Sequence, residues 1–424
     1  MVDPSCPGCH ERDARIADLE ARLAELERLR RETAYLRDRI REVGLQTCVI
    51  DTGILGEPLG LEPDISHREV AAAAGKDLEQ IRKAGSRGAA VEDMMKGVAA
   101  VCARLYAQGR CQGAISLGGA EGAVLASAGM QALPVGIPKL IVTPLASGQR
   151  QFGPFVGIRD VMVMHAVIDI LGLNSVSRLI FDQAAGAITG AVRQMHGGAQ
   201  SMTAAADKVV GVTMLGNTTA AVEVIKQRLD GRGYEPIIFH ANGVGGAAME
   251  EMVREGRLGG VIDYTTGELT GHLVGGFHNA GPRRLEAAGE CGVPQVVVPG
   301  CVDFLVQGPR STVPEQWRDR PAYYHNPSFT LIRATREEMI EIAHHMADKL
   351  NRAKGRVAVA IPTRGLSIPN CPGGEFWDPE CDAAFRAALQ GALHKQIQCV
   401  EVDAHINSKD MADATARLFF EITS

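Results

Sequence analysis

Short apolar segments alternate with helical segments along most of this chain, and this alternation constrains the fold more than any other feature. Strands separated by helices of this kind pair in parallel through right-handed crossovers. The sequence therefore predicts an α/β fold with two doubly wound parallel sheets. The predicted strands are 47–51, 111–117, 139–143, 209–214, 236–240, 260–264, 295–299, 356–362 and 399–402.

The composition supports this fold class and limits the function. Hydrophobic residues make up 46% of the chain, aromatic residues only 4%, and there are 48 glycines, which fits buried parallel strands joined by tight turns. The net charge of −6 gives no field that favours nucleic acid, so no nucleic-acid partner is expected. Ten scattered cysteines, no secretory signal and no apolar run of about 18 residues predict a cytoplasmic protein without a membrane partner.

Residues 1–32 form a charged leader that differs from the rest of the chain. Its apolar residues Ile16, Leu19, Leu23 and Leu26 have the 3-4-3 spacing of a coiled coil, which predicts a homo-oligomer, although a solvated helix is the alternative. The spacing then changes, which indicates a joint to a second helix. After the leader, the sequence predicts an N-terminal α/β domain, 33–200, and a C-terminal α/β domain, 208–424.

The leader also contains the motif Cys6-Pro-Gly-Cys9-His10. Covalent haem attachment uses this spacing, but nothing in the sequence indicates export to a haem-loading compartment. Two other interpretations remain open. The thiols are unliganded, or they form half of a zinc site that a second chain completes across a coiled coil.

Two glycine-rich turns follow predicted strands, where parallel sheets bind their ligands. Glycine lets a ligand approach the backbone, and the helix that follows offers free N–H groups to an anion, although glycines also serve tight packing. The turns predict a site for a phosphorylated or otherwise anionic small molecule. Candidate binding residues are Gly118, Gly119, Ala120, Gly122 and Ala123 in the first turn and Asn242, Gly243, Gly245 and Gly246 in the second.

Polar residues at other predicted strand ends extend this site, because their side chains suit hydroxyls, phosphates or a hard cation. Glu268, Asp403, His405 and Asn407 are of this type, and a structural turn explains Asp403 and His405 equally well. Further candidate binding residues are Thr265, Thr266, Gly300, Asn326 and Arg364. Candidate catalytic residues are Glu121, His240, Asp303 and His325, of which Glu121 and Asp303 are also candidate Mg²⁺ ligands.

Several long segments resemble one known family. They include ISLGGAEGAVLASAGMQALPVGIPKLIVTPLASG (115–148), FGPFVGIRDVMVMHAVIDILGLNSVSR (152–178), FHANGVGGAAMEEM (239–252), VVVPGCVDF (296–304), YHNPSFTLIRAT (324–335) and EVDAHIN (401–407). In this order, over roughly 33–422, they are similar to the Tm-one-like ATP-binding family, bacterial relatives of the nucleotide-binding domain of a plant tobamovirus-resistance protein. The resemblance implies two Rossmann-like subdomains, a cleft between them and ATP as the ligand.

The chain departs from that family in both glycine turns. Family members commonly have Gly-Gly-Ser-Gly-Gly-Thr at 118–123, where this chain has Ala120, Glu121 and Ala123. Two hydroxyl donors are replaced, and a carboxylate stands where phosphate would approach. Like charges at 4 Å oppose each other by about 4 kcal/mol near a protein surface, so a bridging Mg²⁺ is expected. In the second turn, Asn242 and Val244 replace threonines.

The family also begins with a strand and a loop that this chain lacks before the helix predicted at 33–45. A sheet without its first strand is expected to expose an edge or to leave a gap. Three functional hypotheses remain: a nucleotide-dependent enzyme, a non-catalytic ligand-binding protein that assembles through its leader, and a metal-assisted enzyme that acts on a small carboxylate without ATP.

Overall fold

The computed structural model describes residues 32–56, 61–144, 153–170, 173–197 and 206–424. The chain divides into two compact units between residues 201 and 202, and they are called here the N-terminal unit and the C-terminal unit. The predicted coiled coil and the motif of Cys6 and Cys9 lie outside the described residues. Assembly through the leader therefore stays a sequence-based prediction.

The N-terminal unit contains a parallel sheet which, in its described part, has three strands in the order β1-β2-β3. Ile115 of β1 is paired with Leu140 of β2, and Ile141 of β2 with Val163 of β3. The strands are β1 (Ala114–Leu117), β2 (Lys139–Thr143) and β3 (Met162–His165). The helices are α1 (32–42), α2 (His67–Ala73), α3 (Leu78–Arg82), α4 (Arg87–Ala107), α5 (Ala120–Gln131), α6 (Gly153–Val156) and α7 (Ser175–Gly197).

Helices cover both faces of this sheet because successive side chains of a strand point to opposite faces. Leu140 and Val142 pack with Leu36 of α1 and Phe181 of α7 on one face. Ile141 packs on the other face in a cluster with α5 and α6. The unit therefore has three layers, with the sheet in the middle.

Local capping agrees with the sequence. Ser66 is the N-cap of α2, and its side chain accepts a hydrogen bond from the Glu69 N–H at the start of this helix. The Glu69 carboxylate accepts in return from the Ser66 N–H, at 2.8 Å, which completes a capping box. Short polar residues thus fix where this helix begins.

The C-terminal unit contains a larger parallel sheet of six described strands, in the order β12-β11-β7-β6-β4-β5, and a three-stranded antiparallel sheet, β8-β10-β9. The strands are β4 (Val209–Met214), β5 (Glu235–His240), β6 (Gly260–Thr265), β7 (Gln295–Gly300), β8 (Phe304–Gln307), β9 (Ala322–Asn326), β10 (Phe329–Arg333), β11 (Val357–Pro362) and β12 (Gln398–Val402). The helices are α8 (Thr219–Asp230), α9 (Gly245–Arg254), α10 (Glu268–Thr270), α11 (Ala287–Cys291), α12 (Arg336–Asn351), α13 (Pro379–Ala392) and α14 (Lys409–Thr423).

Both faces of the six-stranded sheet are covered. Val210 and Ile262 pack with Phe419 of α14 on one face, and Val297 and Val359 belong to a cluster with α12 and α13 on the other. Every residue of the central strand β7 is buried. This double cover is why its sequence is a nearly continuous apolar run rather than an alternating one.

Parallel α/β sheets are thus present in both units, and most predicted strands are confirmed. The prediction of a strand at 47–51 was wrong, because this segment makes only an isolated bridge between Ile50 and Ile65. Strand β3 was not among the predicted strands, because periodicity cannot separate so short an apolar run from helix. The antiparallel sheet β8-β10-β9 was not predicted either, and β6 is followed by the short α10 and a π-turn. No described helix is long and apolar enough to cross a membrane.

Two helix glycines should respond in opposite ways to substitution by alanine. Gly186 of α7 is exposed, and an added Cβ would meet nothing within 4 Å, so Gly186→Ala should raise the free energy of unfolding by about 0.5–1 kcal/mol. In Gly97→Ala on α4, the Cβ would lie 2.1 Å from the Val70 carbonyl oxygen, so this variant should be destabilised by about 1–3 kcal/mol. Urea unfolding of both variants beside the wild type measures this, and equal effects would contradict the packing described here.

Candidate functional site

An apolar cavity of about 740 Å³ lies beside strand β1 in the N-terminal unit. Leu36 and Ile188, on α1 and α7, line one side, and Val98 on α4 is among the residues that complete the wall. Strand β1 and the extended segment 46–52 also border the cavity. Its volume falls within the range of cavities that hold small molecules.

The first glycine turn adjoins this cavity, because Ser116, Leu117 and Gly122 line it. The Ser116 hydroxyl is buried and has no hydrogen-bond partner within the described ranges. Gly118 is required by packing, since a Cβ there would lie 2.8 Å from the Gly122 Cα. At Gly119 an added Cβ would meet nothing within 4 Å, so packing does not explain this second glycine.

Helix α5 begins at this turn with free N–H groups. Its N-cap residue Gly119 makes no side-chain capping bond. Across the part of the chain that the structure describes, the N–H groups of Gly119, Glu121 and Gly122 have no acceptor. The positive end of the helix dipole lies at the same place, so the turn offers an unoccupied set of donors to an anion.

Arg87 accompanies Glu121 in this turn. The guanidinium of Arg87, the first residue of α4, forms a salt bridge with the Glu121 carboxylate, and this contact raises the pKa of Arg87. The negative charge of Glu121 therefore has a positive partner within the chain. The sequence did not predict this pair. Arg87 and Glu121 lie on different helices, α4 and α5, and neither helix's sequence shows that the two helices pack together.

The second glycine turn is arranged differently, because its N–H groups already have acceptors. The Glu268 carboxylate accepts hydrogen bonds from Gly243 at 2.7 Å and from Gly246 at 3.3 Å. Asn242 Oδ1 accepts from the N–H groups of Val244 and Gly245. A Cβ on Gly246 would lie 1.8 Å from Glu268 Oε2, so this glycine serves close packing. A carboxylate of the chain itself occupies the position where a ligand anion was expected.

Glu268 is held by a buried ionic network. The guanidinium of Arg284, completely shielded from solvent, donates to Glu268 at 2.6 Å and to both oxygens of Asp263 at 2.5 and 2.6 Å. These carboxylates raise the pKa of Arg284 further above its ordinary value, against the opposing effect of burial. Glu250 completes the network by accepting from the Ala287 N–H at 2.7 Å, and burial raises its pKa. Sequence reasoning missed Arg284, which lies in a polar segment that resembles a surface loop.

Three predicted strand-end residues tie neighbouring strands together. The hydroxyls of Thr265 and Thr218 are hydrogen-bonded at 2.8 Å, and Thr266 donates to the Val298 carbonyl oxygen at 3.1 Å. A Cβ on Gly300 would lie 2.3 Å from the Tyr264 carbonyl oxygen. All three are buried, so their observed role is to join strand ends.

Asp303 is also completely buried. Ser367 donates to its Oδ2 at 2.6 Å, Arg333 donates to its backbone carbonyl oxygen at 2.9 Å, and burial raises the pKa of the carboxyl group. The neighbouring Asp382, which accepts from Arg333 at 2.7 Å, has its pKa raised by burial to about 6. This environment suits a structural network better than a solvated metal ligand.

The remaining candidates lie near the surface of the C-terminal unit. His240 and His325 are exposed. Asn326 Oδ1 accepts from the Ser328 N–H at 2.8 Å and so shapes the turn between β9 and β10. Arg364 pairs with Asp403 at 2.6 Å, with both side chains largely exposed. No group of three His, Cys, Asp or Glu side chains that could hold a metal occurs in the described ranges.

His278 is a titratable residue that sequence reasoning missed. Its imidazole is half-buried, with its ring centroid 6.4 Å from that of Phe329. Burial and, to a smaller extent, the charge of His240 lower its pKa to about 4. His278 is therefore neutral at pH 7. A lone histidine in a polar segment gave no signal of this environment.

Both units match models of one protein family. The model described as "Uncharacterised protein family (UPF0261) N-terminal domain" matches residues 25–197, and the corresponding C-terminal domain model matches residues 207–423. The chain is 43% identical to a UPF0261 protein of Clostridium tetani over 387 residues, which cover 91% of this chain and 94% of the relative. It is 34% identical to a UPF0261 protein of Rhizobium meliloti over 395 residues, 93% of this chain and 96% of the relative.

A plant protein is also similar. The ToMV resistance protein Tm-1(GCR237) of Solanum lycopersicum is 36% identical over 340 residues, 80% of this chain. The matched region is 45% of the plant protein, so this chain corresponds to less than half of it. The similarity to Tm-1 proteins that the sequence motifs indicated is thus confirmed.

Replacing Arg284 should destabilise the C-terminal unit strongly. Arg284→Met leaves Asp263, Glu268 and Glu250 buried without their shared cation, which should lower the free energy of unfolding by about 3–5 kcal/mol. Arg364→Met is the matched control, because its ion pair is exposed and should contribute little. Native-state hydrogen exchange of the β6 amides reports both effects. Equal protection in the two variants would refute a stabilising network.

The His278 imidazole should titrate far below an ordinary histidine. Because the folded pKa of about 4 is lower than the usual value near 6.5, the folded state resists protonation, and stability should fall as the pH drops from about 6.5 to 4. NMR titration of the imidazole signals, assigned with His278→Gln, measures the pKa directly. The loss of stability between pH 7 and pH 5 should be about 2 kcal/mol smaller in His278→Gln. A titration midpoint of the His278 imidazole above pH 6 would contradict the burial described for this side chain.

Proposed function

This chain belongs to the UPF0261 family, and we propose that it binds ATP or a related phosphorylated or anionic small molecule at the turn 118–122 of its N-terminal unit. ATP is the ligand that the sequence resemblance implies. One observation carries the proposal: the N–H groups at the start of α5 have no acceptor in the described chain, whereas the equivalent groups of the second turn are bound to Glu268.

The comparison of the two turns supports a specific site. Both turns join a strand to a helix and both carry glycines. At 243–246, packing and an internal carboxylate account for the glycines and for their N–H groups. At Gly119 the protein has no packing need for glycine, and the space left open is where a phosphate oxygen would approach the backbone.

The charges beside the turn fit an anionic ligand in two ways. Arg87 neutralises Glu121 in the free protein, and it is exposed enough to turn towards a phosphate instead. Mg²⁺ is part of the proposal, since a hard cation would bridge the Glu121 carboxylate and the phosphate oxygens. Affinity should therefore increase when Mg²⁺ is present.

We propose that the protein binds this ligand, and catalytic turnover of the ligand is a separate hypothesis. Asp303, one candidate for chemistry, is fully buried in a network with Ser367 and Arg333, which favours a ligand-binding protein over a phosphoryl-transfer enzyme. A metal-assisted reaction on a small carboxylate at Glu121 is the remaining alternative. Small dicarboxylates in the same assay, with and without Mg²⁺, separate it from nucleotide binding.

Calorimetry of the full chain with ATP, ADP and inorganic phosphate tests the site. Gly119→Ala should weaken ATP binding at least tenfold, because the new methyl group fits the free protein but occupies the ligand's approach to the amides. Glu121→Gln should remove most of the gain that Mg²⁺ gives, because the bridging carboxylate is lost.

Gly216→Ala is the matched control for this experiment. It is the same substitution at a position in the C-terminal unit where a Cβ also meets nothing within 4 Å, and ATP affinity should not change. Equal ATP affinity in Gly119→Ala, Gly216→Ala and wild type would exclude the turn 118–122 as the binding site.

A further inference from the structure

Two buried carboxyl groups of the C-terminal unit share one buried guanidinium. Arg333, at the end of β10, donates to Asp382 at 2.7 Å and lies 3.7 Å from the carboxyl group of Asp303. All three side chains are more than nine-tenths buried. Two carboxylates and one guanidinium leave one net negative charge in the interior, which is costly unless a proton neutralises one carboxylate.

The two carboxyl groups are not equally well stabilised as anions. Asp382 accepts from Arg333 at Oδ1 and from the Asn370 amide at Oδ2, at 2.8 Å, so each of its oxygens has a donor. Asp303 accepts at Oδ2 from the Ser367 hydroxyl at 2.6 Å, but its Oδ1 is buried without a donor in the described part of the chain. Because donors favour the ionised form, Asp382 is the better site for the negative charge and Asp303 for a proton.

Burial acts in the same direction. It raises the pKa of both carboxyl groups, that of Asp382 to about 6, and Arg333 acts against burial at both. Asp382 is therefore ionised at pH 7, and its charge remains beside Asp303.

The other titratable groups beside the pair do not supply a charge that replaces this proton. Burial raises the pKa of the Cys301 thiol far above its ordinary value and that of the Cys381 thiol to about 11, so both thiols are neutral at pH 7. Asp378, the N-cap of α13, is exposed. Arg333 thus remains the cation that faces the two carboxyl groups within the described ranges.

The segment 366–376, between β11 and α13, covers the carboxyl end of β7. The Leu366 carbonyl oxygen accepts from the Cys301 N–H, directly after β7, at 2.9 Å. The buried Phe376 ring belongs to one apolar cluster with Cys301 and Leu215, which follows β4. This edge is where parallel sheets bind their ligands, so the segment closes it.

The same segment is attached to the two carboxyl groups. Ser367 donates to Asp303 and Asn370 donates to Asp382, and both donors are completely buried. The Asn370 Oδ1 atom is a second buried acceptor without a donor among the described residues. The network is thus short of hydrogens on the side of the segment, which a neutral carboxyl group would correct.

We propose that Asp303 carries a proton in the folded protein at neutral pH, and that loss of this proton to the solvent loosens the segment 366–376 and uncovers the carboxyl end of β7. With Asp303 neutral, Arg333 balances Asp382 alone. An ionised Asp303 needs further donors at Oδ1, and water reaches this atom only when the segment moves away. The inference does not depend on the proposed function, because the turn 118–122 lies in the other unit.

The proton should stabilise the closed segment in acid. Because the pKa of Asp303 is higher in the folded state than its ordinary value, the folded state binds this proton more tightly than the unfolded state does. The stabilisation is complete in acid and is lost as the pH rises through the folded pKa. The His278 imidazole acts in the opposite direction, since its pKa is lowered.

Carbon-13 NMR of the full chain, labelled at the carboxyl carbon of the aspartate side chains, tests the protonation directly. The signal that Asp303→Asn removes identifies Asp303. It should titrate with a midpoint above about pH 7, whereas Asp403, whose pKa the Arg364 guanidinium lowers, should stay ionised at this pH. A midpoint below about pH 7 for Asp303 would overturn the proposal.

Amide hydrogen exchange of the full chain tests the coupling to the segment. The N–H groups of Cys301 and Phe376 donate to the carbonyl oxygens of Leu366 and Pro369, so their protection factors report whether the segment is closed. Between about pH 6 and about pH 9, both protection factors should fall at least tenfold in the wild type. Equal protection at the two pH values would reject the coupling.

Asp303→Asn separates this proposal from a purely structural ion pair, because an amide has the shape of a protonated carboxyl group and no charge. The variant should keep the protection of the Cys301 and Phe376 amides at about pH 9, and this should hold relative to its own value at about pH 6. Lower protection in Asp303→Asn than in the wild type at both pH values would mean that Arg333 requires an ionised Asp303, and would overturn the proposal.

Asp403→Asn is the matched control, since Asp403 is an exposed carboxylate that is paired with Arg364. It should show the pH dependence of the wild type, and loss of that dependence in the control would reject Asp303 as its source. Asp382→Asn gives a test that does not need Asp303→Asn to fold. It leaves Arg333 to Asp303 alone, so the Asp303 midpoint should fall by about one pH unit or more, and an unchanged midpoint would contradict a shared guanidinium.

Discussion

The two glycine turns of this protein differ in one interaction. In the second turn, the Glu268 carboxylate accepts hydrogen bonds from the N–H groups of Gly243 and Gly246. Arg284 makes them stable by holding Glu268 and Asp263 in the interior of the C-terminal unit. The carboxylate acts there as a built-in anion. The turn 118–122 has no such internal acceptor in the described chain, so its N–H groups remain available to an anion.

The sequence predicted the parallel sheets because their physical signature is local. The residues of β7, for example, form a nearly continuous apolar run, and helices separate most strands of the parallel sheets in sequence. The segment 47–51 resembles a strand locally, but among the described residues it makes only an isolated bridge to Ile65, and periodicity carries no information about neighbours. Strand β3 was missed for a related reason, since an apolar run as short as Met162–Met164 fits a helix or a strand equally well.

The candidate site was predictable only in part. The glycines of 118–122 and the unusual Glu121 are visible in the sequence, but Arg87 is brought to Glu121 by the packing of α4 on α5. For the same reason, polar residues such as Thr265 and Asp303 were assigned to a ligand although they bind other parts of the chain. A strand-end position predicts where a side chain lies, and burial decides whether it serves a ligand or the fold.

The backbone groups of Cys48, Ile50, Ile115 and Leu117 that border the apolar cavity have no hydrogen-bond partner among the described residues. The surrounding side chains offer few additional hydrogen bonds to a water molecule that pairs with these amides and carbonyls. Water held on such terms is released readily, so filling the space would gain solvent entropy and lower the heat capacity. Release of this water would therefore favour an apolar group that fills the cavity.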